Sequence, residues 1–134
     1  MKINVEEYPI PISQQFVQIL ETEIKKSGED PKHGIVINFR DPDYSAETGG
    51  YHPVEVMVSA SGKIQYITDL SFCGGPFPEL VKELDWDVMA GVFGHMGMRD
   101  YPIEQGAELY SIFQRNFISY YQSGVFTVSV SSLG

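Results

Sequence analysis

Residues 54–68 read Val54-Glu55-Val56-Met57-Val58-Ser59-Ala60-Ser61-Gly62-Lys63-Ile64-Gln65-Tyr66-Ile67-Thr68, and this stretch decides the fold. Val54, Val56 and Val58 recur at every second position, as do Ile64, Tyr66 and Thr68. A period of two is the mark of a strand with one face buried. Two registers are open for the hairpin. A two-residue loop, Ser61-Gly62, sets Val58 opposite Gln65 and Val54 opposite Asp69. A three-residue loop, Ala60-Ser61-Gly62, pairs Val58 with Ile64, Val56 with Tyr66 and Val54 with Thr68. Pairing fixes which side chains share a face, so the second register is expected, and Gly62 then falls where a three-residue hairpin needs a left-handed residue.

Upstream, Pro9 and Pro11 keep the first twelve residues extended, and Ser13 is a good N-cap. Phe16, Leu20 and Ile24, flanked by Val17 and Ile19, make an apolar stripe at helical spacing, which Gly28 ends. Gly34 to Arg40 reads as a strand, and 41–53 as a long loop holding Pro42, Gly49, Gly50 and Pro53. Downstream, 71–78 is a turn-rich connector and Leu84, Trp86 and Val88 alternate as a strand. Residues 89–101, with three glycines, read as a loop. Pro102 opens a second helix with Leu109, Phe113, Phe117 and Tyr120 as its apolar face, widened by Tyr110 and Tyr121. Gly124 ends that helix, and Val125 to Ser131 alternates as a last strand without a charge. Such a strand is either an inner one or covered by a partner. The pattern is α+β: a single domain over 1–134, an antiparallel sheet with an N-terminal and a C-terminal amphipathic helix packed on it.

The 134 residues carry 18 acidic and 9 basic side chains, a formal charge of −9. That charge repels phosphate backbones and anionic lipid, so direct nucleic-acid binding and membrane adhesion are not expected, whereas a basic protein partner is. Cys73, the single cysteine, excludes an intrachain disulfide and reads as a small core residue. The first eleven residues lack a signal-peptide pattern and no run suits a membrane span, so the expected location is cytoplasmic.

No Walker loop, dinucleotide fingerprint or nucleophile elbow occurs, so neither a catalytic set nor a cofactor is expected. Asp41, Asp43, Ser45 and Glu47 mimic the start of a calcium loop, but Ala46 and His52 stand where Gly and Glu are needed. A turn in which Asp side chains cap backbone amides fits better. His52 and Glu55 have helical ligand spacing but lie at a strand, where residues three apart diverge, so no metal site is expected. The residues singled out for a ligand or partner are Arg40, Asp41, Tyr44, Glu47 and His52 in the loop, together with Glu83, Asp85 and Asp87. The last three would line one strand face opposite Trp86.

The segment NFRDPDYSAETGGYHPVEV (38–56) resembles the hallmark stretch of an uncharacterised bacterial family, domain of unknown function 2787, many of whose members lie on gammaproteobacterial genomic islands. YITDLSF (66–72), ELVKELDWD (79–87) and NFISYY (116–121) fit as well. The resemblance implies a fold similar to the mitochondrial acidic matrix protein, the globular C1q-head binding protein. That fold is a strongly twisted antiparallel sheet with terminal helices, in acidic relatives that form ring-shaped trimers and bind several ligands. Together these features lead to an acidic, homo-oligomeric binding or adaptor module, dimer or trimer, rather than an enzyme. A small enzyme or ligand-binding protein using the 38–56 loop, and an acidic nucleic-acid mimic, are the alternatives.

Overall fold

The computed structural model describes residues 1–74, 76–97 and 99–134. Helix α1 spans Gln14–Ser27. Strands β1 (Ile35–Arg40), β2 (Val54–Val58), β3 (Ile64–Cys73), β4 (Glu79–Asp87), β5 (Val92–His95) and β6 (Arg99–Pro102) follow in turn. A 3₁₀ turn at Ile103–Gly106 leads into α2 (Ala107–Gln122), and β7 (Thr127–Ser132) closes the chain. The sheet is antiparallel, in the order β6-β5-β4-β3-β2-β1-β7. Six strands form a meander, and the seventh returns to the opposite edge beside β1. Six strand spacings amount to about 29 Å, and sixteen helical residues span about 24 Å. Helix α2 therefore has to lie across the strands to deliver β7 to its place.

Both helices pack on one face of the sheet. Ser13 Oγ accepts from Phe16 N–H, Gly28 takes the left-handed conformation, and Phe16, Val17, Ile19, Leu20 and Ile24 are buried, as the spacing predicts. They meet Ile35, Ile37 and Phe39 of β1, Val54, Val56 and Val58 of β2, Ile64 and Ile67 of β3, and Trp86 of β4. Burying each such side chain stabilises the fold by about 1.5–3 kcal/mol.

Helix α2 buries Tyr110 and Phe117 of the expected face, with Phe113 and Tyr121 packed against the core, but Leu109 is exposed, as is Ile112, and Gln114 is inside. A polar residue holds a core position because its groups are satisfied. Gln114 Oε1 accepts from Ser13 N–H (2.9 Å) and Tyr110 O–H (3.0 Å), and its Nε2 donates to Pro11 O (3.1 Å).

Tyr121 O–H donates to Glu23 Oε2 and ties α2 to α1. Burial first, then the Glu23 carboxylate, pushes the phenol up to about 12. Tyr121→Phe is expected to cost about 1 kcal/mol, leaving Glu23 only Lys26, 3.7 Å away. A urea-denaturation midpoint equal to wild type would refute that assignment.

The central hairpin combines both registers considered from sequence. Val58 pairs with Ile64, as expected, around the Ala60-Ser61-Gly62 loop, with Ser59 N–H donating to Lys63 O (2.9 Å). A bulge then shifts the pairing by one, so Val56 faces Ile67 and Val54 faces Asp69. Tyr66 and Thr68 therefore do not share a face with Ile64. The extra residue lets Ile64 and Ile67, three apart, both enter the core, which strict alternation forbids.

Three further expectations are corrected. Residues 89–101 are not a loop: β5 and β6 occupy much of that stretch, built on Phe93 packing inward. Pro102 ends a strand instead of opening a helix, since α2 begins at Ala107 after the 3₁₀ turn. Cys73 is exposed at the end of β3, outside the core. Beyond Cys73 the expected connector 71–78 shrinks to the residues between β3 and β4, of which Gly75 lies outside the described residues.

Candidate functional site

The 41–53 loop is fixed by its own side chains. Asp41 Oδ1 accepts from Asp43 N–H (2.9 Å) and its Oδ2 from Tyr51 N–H (3.0 Å). Ser45 Oγ bonds Thr48 Oγ1 (2.6 Å), and Ser45 and Gly49 exchange backbone hydrogen bonds. Gly50 has φ +134°, and a Cβ there would sit 2.9 Å from Asp41 Oδ2 and 3.0 Å from Tyr44 Cα, so only glycine permits the closure. Tyr44 stacks on Phe72 (centroids 5.1 Å apart), accepts from Phe72 N–H (3.0 Å) and packs 5.4 Å from the His52 ring. The loop thus delivers His52 in a set orientation.

His52 meets two acids. Its Nδ1 lies 2.8 Å from Glu83 Oε2 and 3.1 Å from Asp69 Oδ1. One ligand atom from each of the three residues lies within 4.8 Å of the others. Glu83 reaches this place through a second bulge. Asp69 pairs with Leu84 and Leu70 with Lys82, so Glu83 is the extra residue of β4 and its side chain is re-aimed. Asp69 is only 8% exposed on the core-facing side of β3. Burial, reinforced by the Glu83 charge and opposed by His52, pushes its carboxyl up to about 6.

His52 and Asp69 form the polar end of a cleft of about 320 Å³ between α2 and the sheet. Its other walls are mostly apolar, from Tyr51, Leu84, Leu109, Ile112, Phe113 and Phe126, with the Asn116 amide among them. The exposed Leu109 and Ile112 are thereby accounted for: they border the cleft.

The residues singled out from sequence separate into distinct groups. Of the five loop residues, only His52 lines the cleft. Asp41 and Tyr44 brace the loop. Arg40 and Glu47 are exposed, and among the described residues neither makes a side-chain hydrogen bond. The convergence of all five in one pocket does not occur. Glu83, Asp85 and Asp87 do not share a face either. Asp85 accepts from Thr68 O–H (2.6 Å) and lies 3.9 Å from Lys82 Nζ, while Asp87 Oδ1 caps Ala90 N–H (2.9 Å). Burial, foremost, raises the Asp85 carboxyl above the usual range.

As expected, His52 and Glu55 diverge: Glu55 accepts from Tyr66 O–H on the helix-free face. Sequence reading missed Asp69, and with it the acid pair that meets His52. The available signal was Asp69 itself, an acid that one hairpin register set opposite Val54.

Fold and cleft together define an acidic α+β protein with a seven-stranded antiparallel sheet, helices on one face and a largely apolar cleft whose polar end is His52 and Asp69, with Glu83 beside them. The chain belongs to the family described as protein of unknown function (DUF2787), whose model matches residues 14–131. Two solved structures from Vibrio cholerae are similar over nearly their whole length. The hypothetical protein VC0508 from the VSP-II pathogenicity island has 29% identity and a TM-score of 0.81, covering 95% of this chain and 98% of that one. The conserved hypothetical protein VC1805 from pathogenicity island VPI-2 has 34% identity and a TM-score of 0.80, covering 94% and 98%. VC1805 is described as sharing structural homology with the human P32 protein. No curated protein matches the chain. Among the described residues no helix is long and apolar enough to cross a membrane.

Proposed function

We propose that this protein is a self-associating protein-binding module and not an enzyme. The observation that carries the reading is strand β7. It pairs only with β1 and so forms an edge of the sheet, and its sequence Thr127-Val128-Ser129-Val130-Ser131-Ser132 has no charge or proline to blunt it. An edge of this kind is a template for another chain. The likeness to a structure related to human P32, the C1q-binding protein, supports binding as the role. The charge of −9 supports a basic partner in addition to a second copy. The nucleic-acid mimic loses support, because Glu83 leaves the acidic row it would need.

Light scattering of the wild type at micromolar concentration should give a mass two or three times the 15.0 kDa chain. The double substitution Ser129→Lys and Ser131→Lys places charges on the exposed side of β7 and should return the mass to that of one chain. A wild-type monomer, or an assembly that survives both lysines, would defeat the proposal.

The cleft favours a second reading, that of a small-ligand binder with an apolar body and a polar end at His52 and Asp69.

A further inference from the structure

We propose that His52, Asp69 and Glu83 form a binding site for a divalent transition-metal ion of the zinc and manganese class. Three features of the structure carry this beyond the meeting of charged groups.

The first is the donor arithmetic. Two carboxylate oxygens, from Glu83 and Asp69, converge on one imidazole nitrogen at 2.8 and 3.1 Å. That nitrogen has at most one hydrogen, so it cannot make a full hydrogen bond to both oxygens. A single cation in their midst satisfies all three donors. Ligand atoms bound at about 2.1 Å are about 3.4 Å apart at the tetrahedral angle of zinc and about 3 Å apart at the right angles of a six-coordinate site. The 3.1 and 2.8 Å that His52 Nδ1 keeps from the two oxygens therefore need only a small outward adjustment to admit the ion.

The second is how the residues are held. They come from three separate stretches of chain: the braced loop, core-facing β3 and a bulge in β4. The bulge breaks the strand pairing at the residue that completes the trio, and bulges serve to re-aim side chains beside functional sites. The Tyr44 ring packs against His52, and Tyr44 is itself held by Phe72 N–H. Ligands oriented by outer partners in this way are the usual build of a metal site.

The third is access. Asp69 is nearly buried, but the His52 and Glu83 side chains are 37% and 29% exposed. Positions not filled by the three protein donors therefore open to water or to a ligand in the cleft. An imidazole with two carboxylates favours zinc, manganese, iron(II) or cobalt over magnesium and calcium, whose sites are built from oxygen.

The test uses the full chain stripped with a chelator, then titrated with Zn²⁺ by calorimetry and with Co²⁺ by visible absorption and by NMR of the histidine rings. One equivalent should bind, and Co²⁺ should broaden the His52 resonances before those of His33 and His95. Glu83→Gln, an isosteric change at the rim, should weaken Zn²⁺ binding at least about tenfold, and His52→Gln should do the same. His33→Ala and His95→Ala should leave it unchanged. The melting temperature of each metal-free variant shows that it folds. The assignment is overturned by the absence of saturable binding, by affinity that survives both Glu83→Gln and His52→Gln, or by affinity that depends on His33 or His95. None of these results depends on the oligomeric state, so the metal site and the self-association stand or fall separately.

Discussion

Trp86→Ala is expected to destabilise the protein by about 3–5 kcal/mol, lowering Tm by roughly 10–20 °C. Trp86 is fully buried in β4, with Phe93 at 5.5 Å, Tyr110 at 5.3 Å and Phe113 at 5.0 Å between ring centroids. It joins the β5–β6 end of the sheet to α2, so its removal opens a cavity among three rings that cannot all close on it. Its Nε1–H also donates to Gly106 O (2.9 Å), in the 3₁₀ turn that starts the crossing of α2. Without the indole that buried carbonyl loses its donor, which places the loss toward the upper end of the range. Gly106 has no room for a side chain, since a Cβ would lie 2.6 Å from Phe93 Cγ and 2.9 Å from Trp86 Nε1. Trp86→Phe keeps most of the apolar contact and loses only the donor, so it should cost markedly less. Circular dichroism must follow unfolding, because Trp86 is the only tryptophan. A loss below about 1 kcal/mol for Trp86→Ala would mean that the ring is not the anchor of this end of the sheet.

Asp69→Asn should act in the opposite direction, stabilising the metal-free protein by on the order of 2 kcal/mol above pH 7. Burial and the neighbouring Glu83 charge lift the Asp69 carboxyl from its ordinary 3.8 to about 6, against the pull of His52. A raised carboxyl means that between about pH 4 and 6 the folded chain binds more protons than the unfolded one. Stability therefore falls as pH rises through that window, and the cost is fully present above pH 6. Asparagine removes the charge and keeps a carbonyl oxygen in place to accept from His52. The stability gain should be largest near pH 8 and shrink as pH falls toward 4. His52 and Glu83 act on the Asp69 carboxyl, so the difference between the two curves reports the Asp69 charge together with its coupling to these two neighbours. Chemical denaturation in chelator-containing buffer at pH 4.5 and 8 measures it. A destabilised variant at pH 8 would show that the contact with His52 outweighs the burial. A gain in stability would fit a buried acid kept for what it binds.

Much of the fold could be read directly from residues. Ser13, the Phe16–Leu20–Ile24 stripe and Gly28 specify α1 by local chemistry alone, since a cap, an apolar face and a left-handed stop act within a few residues of each other. The alternating valines specify β2, and Gly62 the turn after it. The site was far less legible. His52 was singled out, but Asp69 and Glu83 reach it only because bulges in two strands shift the pairing, and a bulge is chosen by which side chains the core can accept. Leu109 was assigned to the interior because periodicity gives a helix an apolar side without saying how wide its contact with the sheet will be.

The 54–68 stretch shows where local sequence stops and tertiary structure takes over. By itself it determined a hairpin with a three-residue turn and a Val58–Ile64 pair, because turn conformation and adjacent pairing are short-range. The shift that follows, and the placement of Asp69 opposite Val54, was decided by the tertiary structure. The helices cover one face of the sheet only, so Ile64 and Ile67 both had to turn toward them. That demand moved the register by one residue and carried a buried acid to the polar end of the cleft.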